Sequence, residues 1–210
     1  MSAIRQTLDV SPLPGTVLDH RSPIWWANTL LIVIETTLFA ILVAAYFYLR
    51  QNFTQWPPVQ TQTTPPIFHP VPKLGYSWMN LAVISASYGA MLWADRSALA
   101  RQSRGVAWGL LLTVILGLAA IAVRWGEFFS LRFHWDDNAY ASIVWTILGM
   151  HAMHLIIGTC ENALMLAWVM SHGLDDKHAR DVHITSSYWY WIGIIWVPLW
   201  LLVFVFPRFT

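Results

Sequence analysis

Residues 25–49 read WWANTLLIVIETTLFAILVAAYFYL, an apolar run interrupted near its middle by one carboxylate, Glu35. Crossing roughly 30 Å of hydrocarbon takes about 20 helical residues at about 1.5 Å each, so the run is long enough to span a bilayer. Barrel strands alternate polar and apolar side chains over about ten residues, and no such alternation is present. Four further stretches, near residues 77–94, 106–129, 138–170 and 187–206, share this character. The expectation is an all-α, polytopic transmembrane bundle of five helices within residues 24–210, preceded by a polar N-terminal segment, 1–23.

Composition supports the bilayer as solvent. Hydrophobic residues make up 57% of the 210 and charged residues only 11%, with a mean hydropathy of +0.50. A soluble domain carries about a quarter charged residues. The Lys and Arg side chains form no run or stripe, which sets aside nucleic-acid binding and a polybasic lipid motif. Cys160 is the single cysteine, so neither an intrachain disulfide nor a multi-thiolate metal site is available, and it reads as a small buried apolar residue. The first 23 residues carry Pro12, Pro14 and Pro23 and lack the pattern of a cleaved signal peptide, so the first span is expected to act as its own membrane signal.

The connections differ in kind. Residues 56–72 contain Pro57, Pro58, Pro65, Pro66, Pro70 and Pro72, which forbids a continuous helix and predicts an extended surface segment. The links 95–105, 130–137 and 171–186 are short, so the helices they join should be antiparallel neighbours. With the N-terminus cytoplasmic, that side holds Arg5, Arg21, Arg96, Arg101, Arg104, Lys177 and Arg180, against Arg50, Lys73, Arg132 and Arg208 outside. The bias favours N-in, C-out. Trp25, Trp26, Trp56, Trp78, Trp135 and Trp200 fall near span ends, where indole rings settle at the headgroups.

Ionisable residues inside the spans are expensive to place there and face protein partners. Glu35 sits about ten residues, or roughly 15 Å, into its span, close to the midplane. A neutral acid hydrogen-bonded to a neighbouring helix is the plain reading; a lipid site or a proton route is the sharper one, and a metal ligand is the third. Arg124 and Glu127 are three residues apart, share a helix face, and are expected to form a structural ion pair, with a lipid phosphate or another subunit as the competing partner.

The fourth span carries the densest pattern. His151, His154, Gly158 and Glu161 follow spacings of three, four and three, and Ile147, Val144 and Tyr140 extend the same stripe. That stripe should face protein. Two imidazoles and a carboxylate on one face also suit zinc or iron, so an intramembrane metalloenzyme stays open beside a packed, hydrogen-bonded pair. His20, His69, His134, His172, His178 and His183 fall outside the spans, which fits neither bis-His haem ligation nor a di-iron site. His172, His178 and His183 are expected in one solvated loop with Asp175, Asp176 and Asp181.

These residues carry a family resemblance. Glu35-Thr36-Thr37-Leu38-Phe39 followed by Tyr46, Phe47 and Tyr48, then Glu127-Phe128, then Asn138-Ala139-Tyr140-Ala141-Ser142 leading into Gly149-Met150-His151-Ala152-Met153-His154-Leu155-Ile156-Ile157-Gly158, and finally Tyr188-Trp189-Tyr190-Trp191-Ile192-Gly193-Ile194-Ile195-Trp196 stand in the order of the third subunit of haem-copper oxidases. The chain resembles the short, five-helix bacterial form, which lacks the first two helices of the longer one. It departs from that pattern at Tyr190, where family members usually have His, and at Gly193, where they usually have Asp.

The resemblance implies a non-catalytic accessory role in the aerobic respiratory chain. The chain would pack against the catalytic subunit I, hold phospholipid and sustain proton uptake, binding no cofactor itself, with haem and copper in partner subunits of a bacterial inner-membrane complex. Glu35, His151, His154 and Glu161 are expected to line an interior polar face in contact with lipid. A subunit-III-like accessory protein of a nitric oxide reductase is the near alternative. A transporter has least support, since no repeat symmetry or broken helix pair is present.

Overall fold

A computed structural model of the chain describes residues 23–59 and 70–209. The expected polar segment up to residue 22, with His20, Arg5 and Arg21, and the part of the proline-rich link that holds Pro65, Pro66 and His69 lie outside the described residues. Among the described residues there are five long helices and no strand: α1 Pro23–Arg50, α2 Leu74–Leu99, α3 Ser103–Ser130, α4 Ala139–His172 and α5 Asp176–Trp200.

Local chemistry sets several of the ends. Pro23 opens α1, where its missing amide leaves no hydrogen bond unmade. The side chain of Asn138 caps α4 by accepting from the Ala141 amide, and Asp175 caps α5 by accepting from the His178 amide. Pro198 lies inside α5, and beyond Trp200 the helix widens into a π turn, Leu201–Val205, before a closing 3-10 turn, Phe206–Arg208. A proline removes one amide donor and crowds the preceding turn, which accounts for the change of pitch.

Helices α2 to α5 pack on one another, with α2 against both α3 and α5, while α1 lies to one side, mainly against α4 and α5, with Tyr46, Phe47 and Arg50 meeting Phe206 of the closing turn. The α2–α3 contact is the most extensive. At Gly109 an added Cβ would stand 2.7 Å from the Ala94 backbone nitrogen, so only glycine lets the two helices approach this closely. Much of the outer surface is apolar: Leu30, Val33, Ile34 and Ile41 on α1 and Leu112, Ile115 and Leu118 on α3 are exposed. This is the arrangement of a multi-pass membrane protein.

The five expected helices are all present. Four of them, α1, α3, α4 and α5 with its continuation to Arg208, are long and apolar enough to cross a membrane, whereas α2 has the length, at 26 residues, but less apolarity. The reason is that α2 turns Ser77, Asn80 and Ser87 into the bundle, where neighbouring helices rather than lipid surround them. The expected loop 171–186 needs correction, since most of it is helix. The α5 helix begins at Asp176, so His178, Asp181 and His183 lie on its first turns, and only residues 173–175 separate α4 from α5. Hydropathy marks the part of a helix that sits in lipid; α5 extends beyond that part with polar residues.

Candidate functional site: a divided polar core

The α4 stripe lies where the bundle is densest: Tyr140, Val144, Ile147 and His151 are inaccessible and His154 nearly so. Its polar members separate into three groups. His151 joins Arg124 and Glu127, His154 joins Glu35, and Glu161 joins Thr185.

In the first group, Arg124 Nη1 donates to Glu127 Oε2 within α3. Asn80 Nδ2 from α2 donates to the same oxygen at 3.4 Å. Arg124 Nη2 lies 3.1 Å from His151 Nδ1, and His151 Nε2 lies 3.0 Å from the Ile192 carbonyl oxygen. A guanidinium only donates and a carbonyl only accepts, so Nδ1 accepts and Nε2 carries the proton. His151 is therefore held as one neutral tautomer. The Arg124 guanidinium lies 3.8 Å from the Trp196 ring centroid, and the same indole stacks on His151 at 4.4 Å. Arg124 and Glu127 are 1% and 0% exposed, which makes this a fully desolvated charge pair supported by an aromatic face.

The second group joins the peripheral helix to the core. His154 Nε2 lies 2.9 Å from Glu35 Oε2, and His154 Nδ1 lies 2.6 Å from the Met150 carbonyl oxygen. The carbonyl fixes a proton on Nδ1. The contact at Nε2 then takes its hydrogen from one of the two partners, the acid or the imidazole. Phe39 and Trp191 flank the imidazole at centroid distances of 5.1 and 5.4 Å. Trp191 Nε1 donates to Thr36 Oγ1 at 2.8 Å, and Asn28 Nδ2 donates to Ser187 Oγ at 2.8 Å. Glu35 keeps part of its surface open, its side chain 21% exposed against 5% for His154.

Glu161 stands apart, its Oε1 accepting from Thr185 Oγ1 at 3.0 Å. It borders a cavity of about 360 Å³ whose walls include Ile24, Leu164, Trp168, Asp181 and Thr185. Cys160, expected inside, is exposed. Its neighbours Thr159 and Asn162 take the inward positions of that α4 turn, and residue 160 falls on the outer face.

All four ring nitrogens of His151 and His154 are thus engaged by Arg124, a carboxylate or backbone carbonyls. Among the described residues no three His, Cys, Asp or Glu side chains converge as a metal-ligand set. Spacing along one helix could not have identified Asn80, Thr36, Asn28 or the Ile192 carbonyl, because each enters from another helix.

The order of these elements matches a known family. The family model described as cytochrome c oxidase subunit III aligns with residues 19–208, nearly the whole chain. The chain belongs to the cytochrome c oxidase subunit III family. Curated relatives named cytochrome c oxidase subunit 3 include those of Lumbricus terrestris, 25% identical over 195 residues, and Mus musculus, 25% identical over 200. That of Petromyzon marinus is 26% identical over 200 residues, and each of the three alignments covers 90% of this chain and 74% of the relative.

In this member of the subunit III family, Tyr190 and Gly193, the two positions expected to depart from the family pattern, meet a single side chain. The Tyr88 hydroxyl of α2 donates to the Tyr190 carbonyl oxygen, and a Cβ added at Gly193 would collide with the Tyr88 ring. Tyr88 thus fills the space beside residue 193, one contact of the α2–α5 interface alongside the hydrogen bond from Trp189 Nε1 to Ser87 Oγ.

Proposed function

We propose that the chain is the non-catalytic third subunit of a haem-copper terminal oxidase in an aerobic respiratory chain. It packs against the catalytic subunit I, holds phospholipid and sustains proton uptake during turnover. Haem and copper belong to the partner subunits. The chain crosses a bacterial inner membrane five times as one domain, residues 24–210, with the polar segment 1–23 cytoplasmic and the C-terminus periplasmic.

The observation that carries this reading is the contact of 2.9 Å between Glu35 and His154, placed on the helix that covers least of its own surface. A carboxylate and an imidazole sharing a proton at hydrocarbon depth, on a helix whose outer face is free for a companion polypeptide or lipid, suit an accessory proton-handling role. Lipid finds support in the cavity beside Glu161. Its walls pass from apolar Ile24, Leu164 and Met165 to polar Thr185, Asp181 and His178, the gradient between acyl chain and headgroup. Arg124 and Glu127 anchor the fold rather than reach lipid or another subunit, since both are enclosed.

The test is Glu35→Ala in the intact oxidase complex. Proton uptake, or the number of turnovers before inactivation, falls while the haem spectrum stays as in the parent. Loss of haem from that variant would count against the reading.

A further inference from the structure

The Arg124 cluster contains polar atoms that its protein partners do not satisfy. Arg124 Nε, Glu127 Oε1 and Asn80 Oδ1 are all buried and find no hydrogen-bond partner among the described residues. Each belongs to a side chain already tied into one network through another atom: Arg124 Nη1 and Asn80 Nδ2 both donate to Glu127 Oε2. Covalent geometry therefore keeps the three orphans in one small region between α2 and α3. The indole Nε1 of Trp196, whose ring lies under the guanidinium, is a fourth buried donor without a partner. A buried polar group left unpaired costs about 1–3 kcal/mol, so several in one cluster call for a ligand.

The mixture of orphans selects that ligand. A cation would suit Glu127 Oε1 and Asn80 Oδ1 but would face the N–H of Arg124, itself positively charged. An anion would suit Arg124 Nε and the Trp196 indole but would face two oxygens, one from a carboxylate. A water molecule offers two O–H donors and two lone pairs, and interior waters typically make about three hydrogen bonds to buried groups of this kind. We propose that the Asn80–Arg124–Glu127 cluster is an internal water site, in which a water accepts from Arg124 Nε and donates to Glu127 Oε1 and Asn80 Oδ1. The water completes a neutral polar core joining α2, α3, α4 and α5, through Asn80, the ion pair, His151 and the Ile192 carbonyl. The site is independent of any role for Glu35.

A density map of the intact membrane complex, at a resolution that shows ordered water, tests this. A single peak within about 2.7–3.2 Å of Arg124 Nε, Glu127 Oε1 and Asn80 Oδ1 is expected. The proposal is overturned if the region is dry, if the side chains rearrange to satisfy one another directly, or if the peak has the contacts of an ion. Asn80→Leu, which removes one acceptor and one strut of the cluster, should lose the peak while Arg124 and Glu127 stay paired; retention of the peak in that variant also overturns the assignment. Should the variant fail to assemble, the map of the parent complex decides alone.

Discussion

Arg124 reaches His151 across the α3–α4 interface, Nη2 to Nδ1 at 3.1 Å, and fixes which nitrogen of the imidazole carries the proton. His154, one helical turn away, meets a carboxylate instead. Neighbouring histidines with the same local sequence signature are thus given different chemical roles by what approaches from other helices. One is held between a guanidinium and a backbone carbonyl, the other between a backbone carbonyl and a carboxylate.

The first expected outcome concerns that distinction. Solid-state nitrogen spectra of the imidazoles should show His151 with a protonated Nε2 and a bare Nδ1. Arg124→Met strips Glu127 of its counter-charge in a site closed to bulk solvent and should destabilise the fold by about 3–5 kcal/mol, measured by denaturation in detergent. A loss under about 1 kcal/mol would mean that the pair is open to bulk solvent.

At Glu35, glutamine and alanine should behave differently. Glu35→Gln keeps a donor facing His154 Nε2 and should leave thermal stability within about 0.5 kcal/mol of the parent, yet it cannot exchange the shared proton. Glu35→Ala leaves the imidazole nitrogen without a partner and should cost about 1–3 kcal/mol. If both variants match the parent in proton uptake, the carboxylate has no protonic role.

Gly193 and Tyr88 should be coupled. Gly193→Ala forces its methyl group into the Tyr88 ring and should destabilise by about 1–3 kcal/mol. Tyr88→Ala opens that space, and a double-mutant cycle should give a coupling of about 0.5–3 kcal/mol. Strict additivity would show that the backbone absorbs the methyl group without involving Tyr88.

The first turn of α5 should respond to acid. Hydrogen bonding from the His178 backbone amide holds the Asp175 carboxyl below its usual range, with further lowering from the His178 side chain. A depressed acid stabilises the cap above its unfolded value, about 3.9, and that stabilisation is lost as pH falls through the lower folded value. Amide exchange at His178 and Ala179 should accelerate below about pH 4, and Asp175→Ala should show the fast exchange already at neutral pH. Unchanged exchange in Asp175→Ala would exclude the cap as the controlling contact.

The long apolar runs around Glu35 and His151 made the helices legible, because bilayer thickness sets their minimum length. The helix ends were not, since Asp181 and His183 look like loop residues but sit on a helix that has left the lipid. The Arg124–Glu127 pair was readable from a spacing of three on one helix. The Glu35–His154 pair joins residues 119 apart, and Asn80 gave no cue beyond being polar within α2. Periodicity reports which side of a helix is inward; it does not report what waits there from the next helix.

The lateral position of α1 bears on how the chain is made. This helix is synthesised before α2 to α5, yet it packs on α4 and α5 and finds no extensive contact with α2. His154 emerges from the ribosome 119 residues after Glu35, a delay of roughly 6–24 s at about 5–20 residues per second. Through that interval the nascent carboxyl group sits in the translocon or bilayer without its native partner, so the order of translation favours a bystander, a chaperone or an already inserted companion, that shelters Glu35 until the fourth helix arrives.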